Sequence, residues 1–352
     1  MPTIYDVART AKVSPKTVSR VLNGDGPVRI QTRDAVQSAI DTLGYVPSSA
    51  ARSMRSQRTG LIGVITGALS GAPADIGQAG LPELLIVQAA QRAFEGTRFT
   101  IMIADTGGRA DRVPHLLSTF AEHRVEGVIY VAERHSHVEM PNLAPGFRMV
   151  LANCTEKCAN ARLPAVVPDD EAGQRSLTAW TLAQGHRRIG YLTFSHRFLA
   201  TRLRLDGHRN ALTAAGVADD PTLIAEVGED ADSMDAAVHA LMDLPDPPSC
   251  ILCGNDAMAM RLYGVLRSMG LSVPEDVSVA GYDDHRAISE MLYPPLTTAA
   301  LPYEAMGAEA ARILRDMIEG EPIPVGPALV EGGVVPRSSV LAKDETFQGR
   351  KT

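Results

Sequence analysis

Seven short apolar runs constrain the fold of this chain more than any other feature. They read LIGVIT, FTIMIAD, GVIYVA, RMVLAN, RIGYLTF, SCILCGND and VSVAGYDD, and most are separated by enough residues for a helix. Continuous apolar runs of this length are typical of buried parallel strands, which are joined by crossover helices. From Gly60 onward the pattern therefore predicts a doubly wound α/β fold.

The chain is long enough for two or three domains. It has 352 residues, of which 45% are hydrophobic, so sizeable cores can be buried. It contains no run of about 18 apolar residues, and its first residues do not resemble a secretory signal. We therefore expect a cytoplasmic protein with no membrane partner.

The first 46 residues differ from the rest and predict three short helices. Apolar residues at helical spacing indicate a first helix over 4–11, with Thr3 and Asp6 at its start. Ser14 is a good N-cap, Pro15 suits the first helical position, and the pair Asn23-Gly24 ends this second helix. A third apolar stripe, Ala35, Val36, Ala39, Ile40 and Leu43, ends at Gly44.

The same end of the chain is basic. Residues 1–58 carry nine Lys or Arg and four Asp, a net charge of +5, whereas the whole chain has a net charge of -7. A basic head on an acidic body favours contact of the head with a polyanion, although a solvated basic face is an alternative. Two short helices joined by a tight turn and completed by a third form a helix-turn-helix arrangement. The outer side of its second helix carries residue types most of which can contact base edges and phosphates, namely Pro15, Lys16, Thr17, Ser19 and Arg20.

The segments IYDVARTAKVSPKTVSRVLN and VRIQTRDAVQSAIDTLGYVPSSAARSMRS resemble the head of the lactose-repressor (LacI/GalR) family of transcription regulators. The resemblance implies that the second helix enters the DNA major groove and that the stretch after GYVP is a hinge helix in the minor groove. Pro15, Lys16 and Arg20 then hold base-reading positions, and Met54 stands where the family inserts a leucine between base pairs. The full set of expected DNA-binding residues is Tyr5, Ser14, Pro15, Lys16, Thr17, Ser19, Arg20, Asn23, Ser49, Ala51 and Met54.

The resemblance extends through most of the body and implies two similar subdomains, as in periplasmic sugar-binding proteins, joined by three crossovers. The expected domains are a head (1–46), a hinge or linker (47–59), a ligand-binding and dimerisation body (60–341) and a flexible tail (342–352). Within the body, the first subdomain is expected over 60–158 and 299–323, and the second over 159–298 and 324–341. Within the hinge, the expected helix from Ser48 to Arg55 is only about two turns long, too short to be stable alone, and an unstructured linker is the alternative.

Polar residues that follow the apolar runs predict a ligand site, because ligands of open α/β sheets bind at the carboxyl ends of the strands. By resemblance to the family, Arg204 binds sugar hydroxyls, and Asn255 and Asp283 hold further ligand-binding positions. Asn153 and Tyr303 are candidates of the same kind, Tyr303 with a core position as the alternative. Asp256 is expected to cap the following helix and Asp284 to stabilise a turn.

The segment EDADSMD lacks the aromatic ring that many relatives place over the ligand, so the effector is expected to differ from a common hexoside.

Signals of catalysis and of metal binding are weak. No Gly-x-Ser-x-Gly elbow, phosphate-binding GKS/T loop or HExxH helix occurs, and the pair His135 and His137 is expected in a polar loop. Cys250 and Cys253 lie three apart in an apparent strand, where they point to opposite faces and cannot share an ion. We expect no enzyme activity, no metal and no cofactor.

The sequence as a whole predicts a homodimeric regulator, a repressor that binds a palindromic operator and responds to a sugar-like effector. The segment from Val340 to Thr352 has no apolar heptads, which favours a dimer over a tetramer. The alternative is a cytoplasmic sugar-binding protein that no longer regulates DNA.

Overall fold

The structure is a computed structural model that describes residues 2–46, 58–67, 81–158, 162–228 and 231–343. It divides into two compact units, Met1–Gly60 and Leu61–Thr352. None of the helices in the described ranges combines the length and the apolar character that a membrane span requires.

The first unit is a bundle of three helices, α1 (Ile4–Thr10), α2 (Pro15–Asn23) and α3 (Ile30–Leu43). The Asp6 carboxylate accepts hydrogen bonds from the backbone N–H and the hydroxyl of Thr3 and so stabilises the start of α1. The hydroxyl of Ser14 accepts from the backbone N–H of Thr17 at the start of α2, and Gly24, with φ of 71°, caps the end of α2. The small core of the bundle is centred on Val7, Val18 and Val36. The predicted helices are confirmed, except that Ala35 of the third stripe is exposed.

The second unit contains, within the described residues, two six-stranded sheets and the helices that cover them. The strands of the first sheet, in spatial order, are β11 (Ala328–Val330), β5 (Ala165–Pro168), β4 (Met149–Glu156), β3 (Gly127–Val138), β1 (Leu61–Thr66) and β2 (Thr100–Asp105). Those of the second sheet are β12 (Val334–Val335), β10 (Thr297–Ala300), β9 (Ser278–Asp283), β8 (Cys250–Cys253), β6 (Ile189–Thr193) and β7 (Ile224–Glu226). All described pairs are parallel except β10 with β12.

The helices of this unit, apart from short 3-10 turns, follow in chain order as α4 (Leu81–Phe94), α5 (Val113–Glu122), α6 (Asp170–Ala183), α7 (Leu199–Ala214), α8 (Ala231–Met242), α9 (Asp256–Ser268), α10 (Arg286–Ser289) and α11 (Tyr303–Glu319). Helices α4 and α11 cover one face of the first sheet, where Ile86, Met306 and Leu314 pack against Ile62 and Ile129. Burial of these aliphatic faces is the main force that holds each subdomain together.

The doubly wound fold with two parallel-sheet subdomains is confirmed, but the subdomain boundaries differ from those expected. Strand β5 pairs with β4, so the first subdomain extends to Pro168 rather than to residue 158. Strand β11 also joins the first sheet, although 324–341 was assigned to the second subdomain. Both are strands of only three or four residues, too short to show a period in the sequence.

The seven apolar runs are all strands, but one of them is not buried. Strand β2 is the edge of the first sheet and its residues are exposed or half-buried. Cys250 and Cys253 lie in two different cores on opposite faces of the second sheet, as expected of residues three apart in a strand. Both thiols are free and buried.

Candidate DNA-reading helix and effector cleft

The outer side of α2 carries the residues expected to read DNA. Val18 is completely buried, whereas Lys16 and Arg20 are exposed and Thr17 and Ser19 are half-buried. Among the other expected contacts, Tyr5 on α1 is 67% exposed. Among its expected DNA contacts, the head therefore exposes two cations and a phenol, a set that can contact phosphates and base edges.

Three of the expected DNA contacts, Ser49, Ala51 and Met54, lie outside the described residues. Asn23 is the last residue of α2. Ser14 is exposed, and its hydroxyl already accepts from the backbone N–H of Thr17, so capping the helix is its first role.

In the second unit, a buried ion-pair network centres on Asp170, the first residue of α6. Its Oδ1 accepts from Nε of Arg204 at 2.7 Å, and its Oδ2 lies 2.7 Å from Nδ1 of His135. The side chain of Asp170 is fully buried, and burial opposes its ionisation. The charge of Arg204 and the hydrogen bond from His135 outweigh burial and keep the pKa of Asp170 below its usual value.

This network joins the two subdomains. His135 belongs to β3 of the first sheet, and Asp170 follows β5 of the same sheet, whereas Arg204 lies on α7 of the second subdomain. Arg204 also donates from one Nη to the carbonyl oxygen of Gly254, and its guanidinium carbon lies 3.8 Å from the ring centroid of Tyr282. The cation is thus fixed in position by contacts on several sides.

Arg204 lies beside other residues predicted to bind the effector. The hydrogen bonds that the structure gives its guanidinium within the described residues use Nε and one Nη. Asp283 ends β9 in a left-handed conformation with φ of 117°. Its carboxylate accepts no hydrogen bond from the described residues, and burial, with the negative charges of Asp256 and Asp170, raises its pKa despite the opposing charge of Arg204. A hydroxyl that donates to Asp283 can therefore stabilise a carboxylate that lacks a partner.

Asn255 adjoins the network through Gly254, whose carbonyl Arg204 binds. Its Oδ1 accepts from the backbone N–H of Met258, so Asn255, not Asp256, caps α9. The assignment of the cap to Asp256 was wrong. Asp256 is instead buried one residue further along and accepts from the hydroxyl of Thr298 and the backbone N–H of His285.

The two remaining candidates are more firmly packed. Tyr303 is 8% exposed and belongs to the core of the first subdomain, yet the charges of Asp283 and Arg204 act on its hydroxyl. Asn153 is 3% exposed, and its Nδ2 donates to the carbonyl oxygen of Ala132. The charges of Arg204 and Asp283 thus act on each other and on Tyr303, whereas Asn153 uses its amide within the first sheet.

Sequence reasoning missed His135 and placed it in a loop. It lies in β3, and its ring is buried because it is paired with Asp170. Asp170 was missed as well, since an acid at the start of a helix usually only complements the helix dipole. Asp284 has the structural role that was expected, because it accepts from Arg337 and from Ser289.

Comparison with known protein families matches both units. Residues 3–48 match the model of bacterial regulatory proteins of the lacI family, and residues 179–340 match that of a periplasmic binding protein-like domain. The sucrose operon repressor of Shigella flexneri is 33% identical over 327 residues, which cover 91% of this chain and 95% of the relative. The transcriptional regulator CelR of Thermobifida fusca is 34% identical, with 91% and 93% covered.

Two solved structures extend the likeness. The complex of the transcriptional regulator CelR with cellobiose has a TM-score of 0.64 at 31% identity and covers 96% of this chain and all of its own. The lac repressor dimer bound to operator and the anti-inducer ONPF has a TM-score of 0.75 at 25% identity, with 97% and 99% covered.

Proposed function

Given that this chain belongs to the LacI family of bacterial regulatory proteins, we propose that it is a repressor that binds a palindromic operator as a homodimer. A small hydroxylated effector, of the sugar class, binds in the cleft between the two α/β subdomains and changes the affinity for the operator. The protein acts in the cytoplasm, where bacterial DNA lies, and its relatives are regulators rather than enzymes.

The outer side of α2 is the observation that supports DNA binding. Lys16 and Arg20 are exposed there, while Val18 packs the same helix against the core of the head. A rigid helix with exposed cations can enter the major groove, and an arginine can form two hydrogen bonds with one guanine.

Replacement of Arg20 tests this half. We expect Arg20→Ala to weaken binding to a selected operator by about 1–3 kcal/mol and to relax the base preference at one position of each half-site. Fluorescence anisotropy at one fixed salt concentration measures both effects, with Arg9→Ala as the control because Arg9 is an exposed arginine of α1 that pairs with Asp6. An equal loss for operator and random DNA would make Arg20 a phosphate contact, and no loss would remove α2 from the interface.

The effector half rests on Asp283, at the end of β9, and on Arg204 of α7, whose guanidinium lies over the ring of the neighbouring Tyr282. Replacement of Arg204 is a poor test, because Asp170 would remain buried without its cation. Asp283→Asn is preferable, since no described residue depends on that carboxylate for a hydrogen bond.

A thermal-shift screen of monosaccharides, disaccharides, sugar acids and polyols tests this half. An effector at about 100 times its Kd adds roughly 2.7 kcal/mol to the free energy of unfolding. We expect the shift to be lost in Asp283→Asn and kept in the control Asp206→Asn, an exposed position on α7. An unchanged shift in Asp283→Asn would place the effector elsewhere.

A further inference from the structure

A polar cavity lies at the carboxyl end of the first sheet. Its volume is about 240 Å³. Residues from the ends of β1 and β2, from β3 and from α4 line it, including Thr66, Thr106, Tyr130, Glu83 and Glu133. With Ser136, four hydroxyls and two carboxyl groups line this one small cavity, which is suited to a polar ligand.

Glu83 is the informative residue of this cavity. It is only 1% exposed, and its Oε2 accepts from the hydroxyl of Thr66 at 3.0 Å. Its Oε1 is buried and has no hydrogen-bond partner among the described residues, and Glu83 is one of the residues that line the cavity. A buried acceptor without a partner is rare in folded proteins because its desolvation is not compensated.

The surroundings of Glu83 are acidic. A Cβ placed on Gly67 would lie 3.0 Å from Oε1 of Glu133, so the Glu133 carboxylate reaches over the end of β1. Burial, and then the charges of Glu133 and Asp105, raise the pKa of Glu83 to about 7, although the hydroxyl of Thr66 and the backbone N–H of Gly67 oppose the change. The cavity therefore favours a positive charge placed between these carboxyl groups.

The cation in the wall, Arg134, also has a contact outside the cavity. It is exposed, and its guanidinium carbon lies 5.2 Å from the ring centroid of Phe198, next to α7. Within the described residues, no group of three or more His, Cys, Asp or Glu side chains is arranged to hold a metal ion. A metal ion is therefore a poorer fit to the cavity than an organic cation.

We infer that this cavity receives a protonated amine of the effector, so that the effector is an amino sugar or a similar hydroxylated amine. An ammonium group has three N–H donors and can satisfy Oε1 of Glu83 and the Glu133 carboxylate together, whereas a hydroxyl has one donor. The cavity is linked to the residues proposed to bind the effector through β3. The carbonyl oxygen of Ala132, which lines the cavity, accepts from Asn153, and His135, between the lining residues Arg134 and Ser136, pairs with Asp170.

The inference rests on the proposed effector cleft and names the chemistry of its ligand. Isothermal titration calorimetry at pH 7 with glucosamine, galactosamine, their N-acetyl derivatives, glucose and galactose tests it on the full chain. We expect at least one amino sugar to bind ten times or more tighter than both its parent sugar and its N-acetyl derivative. The N-acetyl derivative keeps an N–H donor but loses the charge and gains an acetyl group, whereas the parent sugar loses the charge without added bulk, so the two comparisons together test the charge.

The preference for the amine should fall to less than threefold in Glu83→Gln and in Glu133→Gln. Glu133 is exposed, so Glu133→Gln is expected to fold normally and keeps the test valid if Glu83→Gln, at a buried position, impairs folding. The control is Glu139→Gln, an exposed acid beyond the end of β3 that pairs with Lys157.

Three results would overturn the inference: equal binding of amine and parent sugar, an amine preference that survives both substitutions, or no binding of any amine. A neutral sugar whose binding is lost in Asp283→Asn would reject the amine and keep the proposed function. The DNA-binding half is decided separately, by Arg20→Ala.

Discussion

Asp170 provides the strictest test of how the two subdomains are held together. Its carboxylate receives Arg204 and His135, each at 2.7 Å, and its side chain is fully buried. Asp170→Asn keeps the shape of the side chain but leaves the buried Arg204 without its counter-ion. Removal of one partner from a buried ion pair costs about 3–5 kcal/mol, and we expect the lower end, about 3 kcal/mol, because asparagine still offers an oxygen to Arg204.

Urea unfolding at pH 7 measures this loss. The only tryptophan of the chain, Trp180, lies on α6 and reports on the unfolding of the second subdomain. The control is Asp111→Asn, which removes an ion pair of similar length. Asp111 lies 2.8 Å from Arg109, and both side chains are 67% exposed. Little measurable change is expected there, because water screens the pair. A loss below about 1 kcal/mol in Asp170→Asn would refute the view that this ion pair holds Arg204.

Two further predictions concern helix α7. Burial lowers the pKa of His208 to about 4 from 6.5, so the folded state binds fewer protons than the unfolded state between these values. His208 therefore contributes on the order of 3 kcal/mol to the free energy of unfolding above pH 6.5, and this contribution is lost as the pH falls toward 4. Unfolding of the wild type and of His208→Gln at a series of pH values should show their difference shrink across that range, and a constant difference would contradict the prediction. Gly207→Ala should lower the free energy of unfolding by about 1–3 kcal/mol, because the new Cβ would meet the carbonyl oxygen of Glu171 on α6. The control Gly264→Ala, on α9, has open space around its Cβ and should cost nothing. Equal effects of the two substitutions in thermal unfolding would disprove the close packing of α6 on α7.

The head was predictable from its sequence because local signals decide its helices. Ser14 and Gly24 act as caps through their own chemistry, and the apolar stripes have the helical period. These signals need no knowledge of distant residues. The helices therefore begin and end close to where the sequence placed them.

The body was predictable in class but not in its boundaries. Long apolar runs indicated buried strands, whereas β5 and β11 have four and three residues and depend on their neighbours for pairing. Their place in the first sheet is decided by tertiary contacts that no local pattern reveals. For the same reason, the exposure of β2 could not be predicted, since only the strand order makes it an edge.

The candidate cleft was predicted in part. Arg204 and Asp283 follow from the rule that ligands bind at strand ends, helped by family resemblance. The ion pair between Arg204 and Asp170 joins residues 34 apart, and that between His135 and Asp170 joins residues 35 apart. Pairing over such distances depends on the crossover between the sheets, which the sequence does not display.

Oε1 of Glu83, which has no partner among the described residues, was equally invisible in the sequence, where Glu83 is an ordinary acid in the first turn of a helix. Its burial results from the packing of α4 against the end of β1, where Thr66 binds it.

Selection of DNA from a random pool by the purified protein tests the central claim most directly. Sequence-specific binding by paired heads predicts enrichment of an inverted repeat by the wild type, with the enriched bases changed or lost at one position per half-site in Arg20→Ala. Recovery of DNA without any enriched sequence, or of the same repeat by both proteins with equal affinity, would contradict the claim that α2 reads the operator.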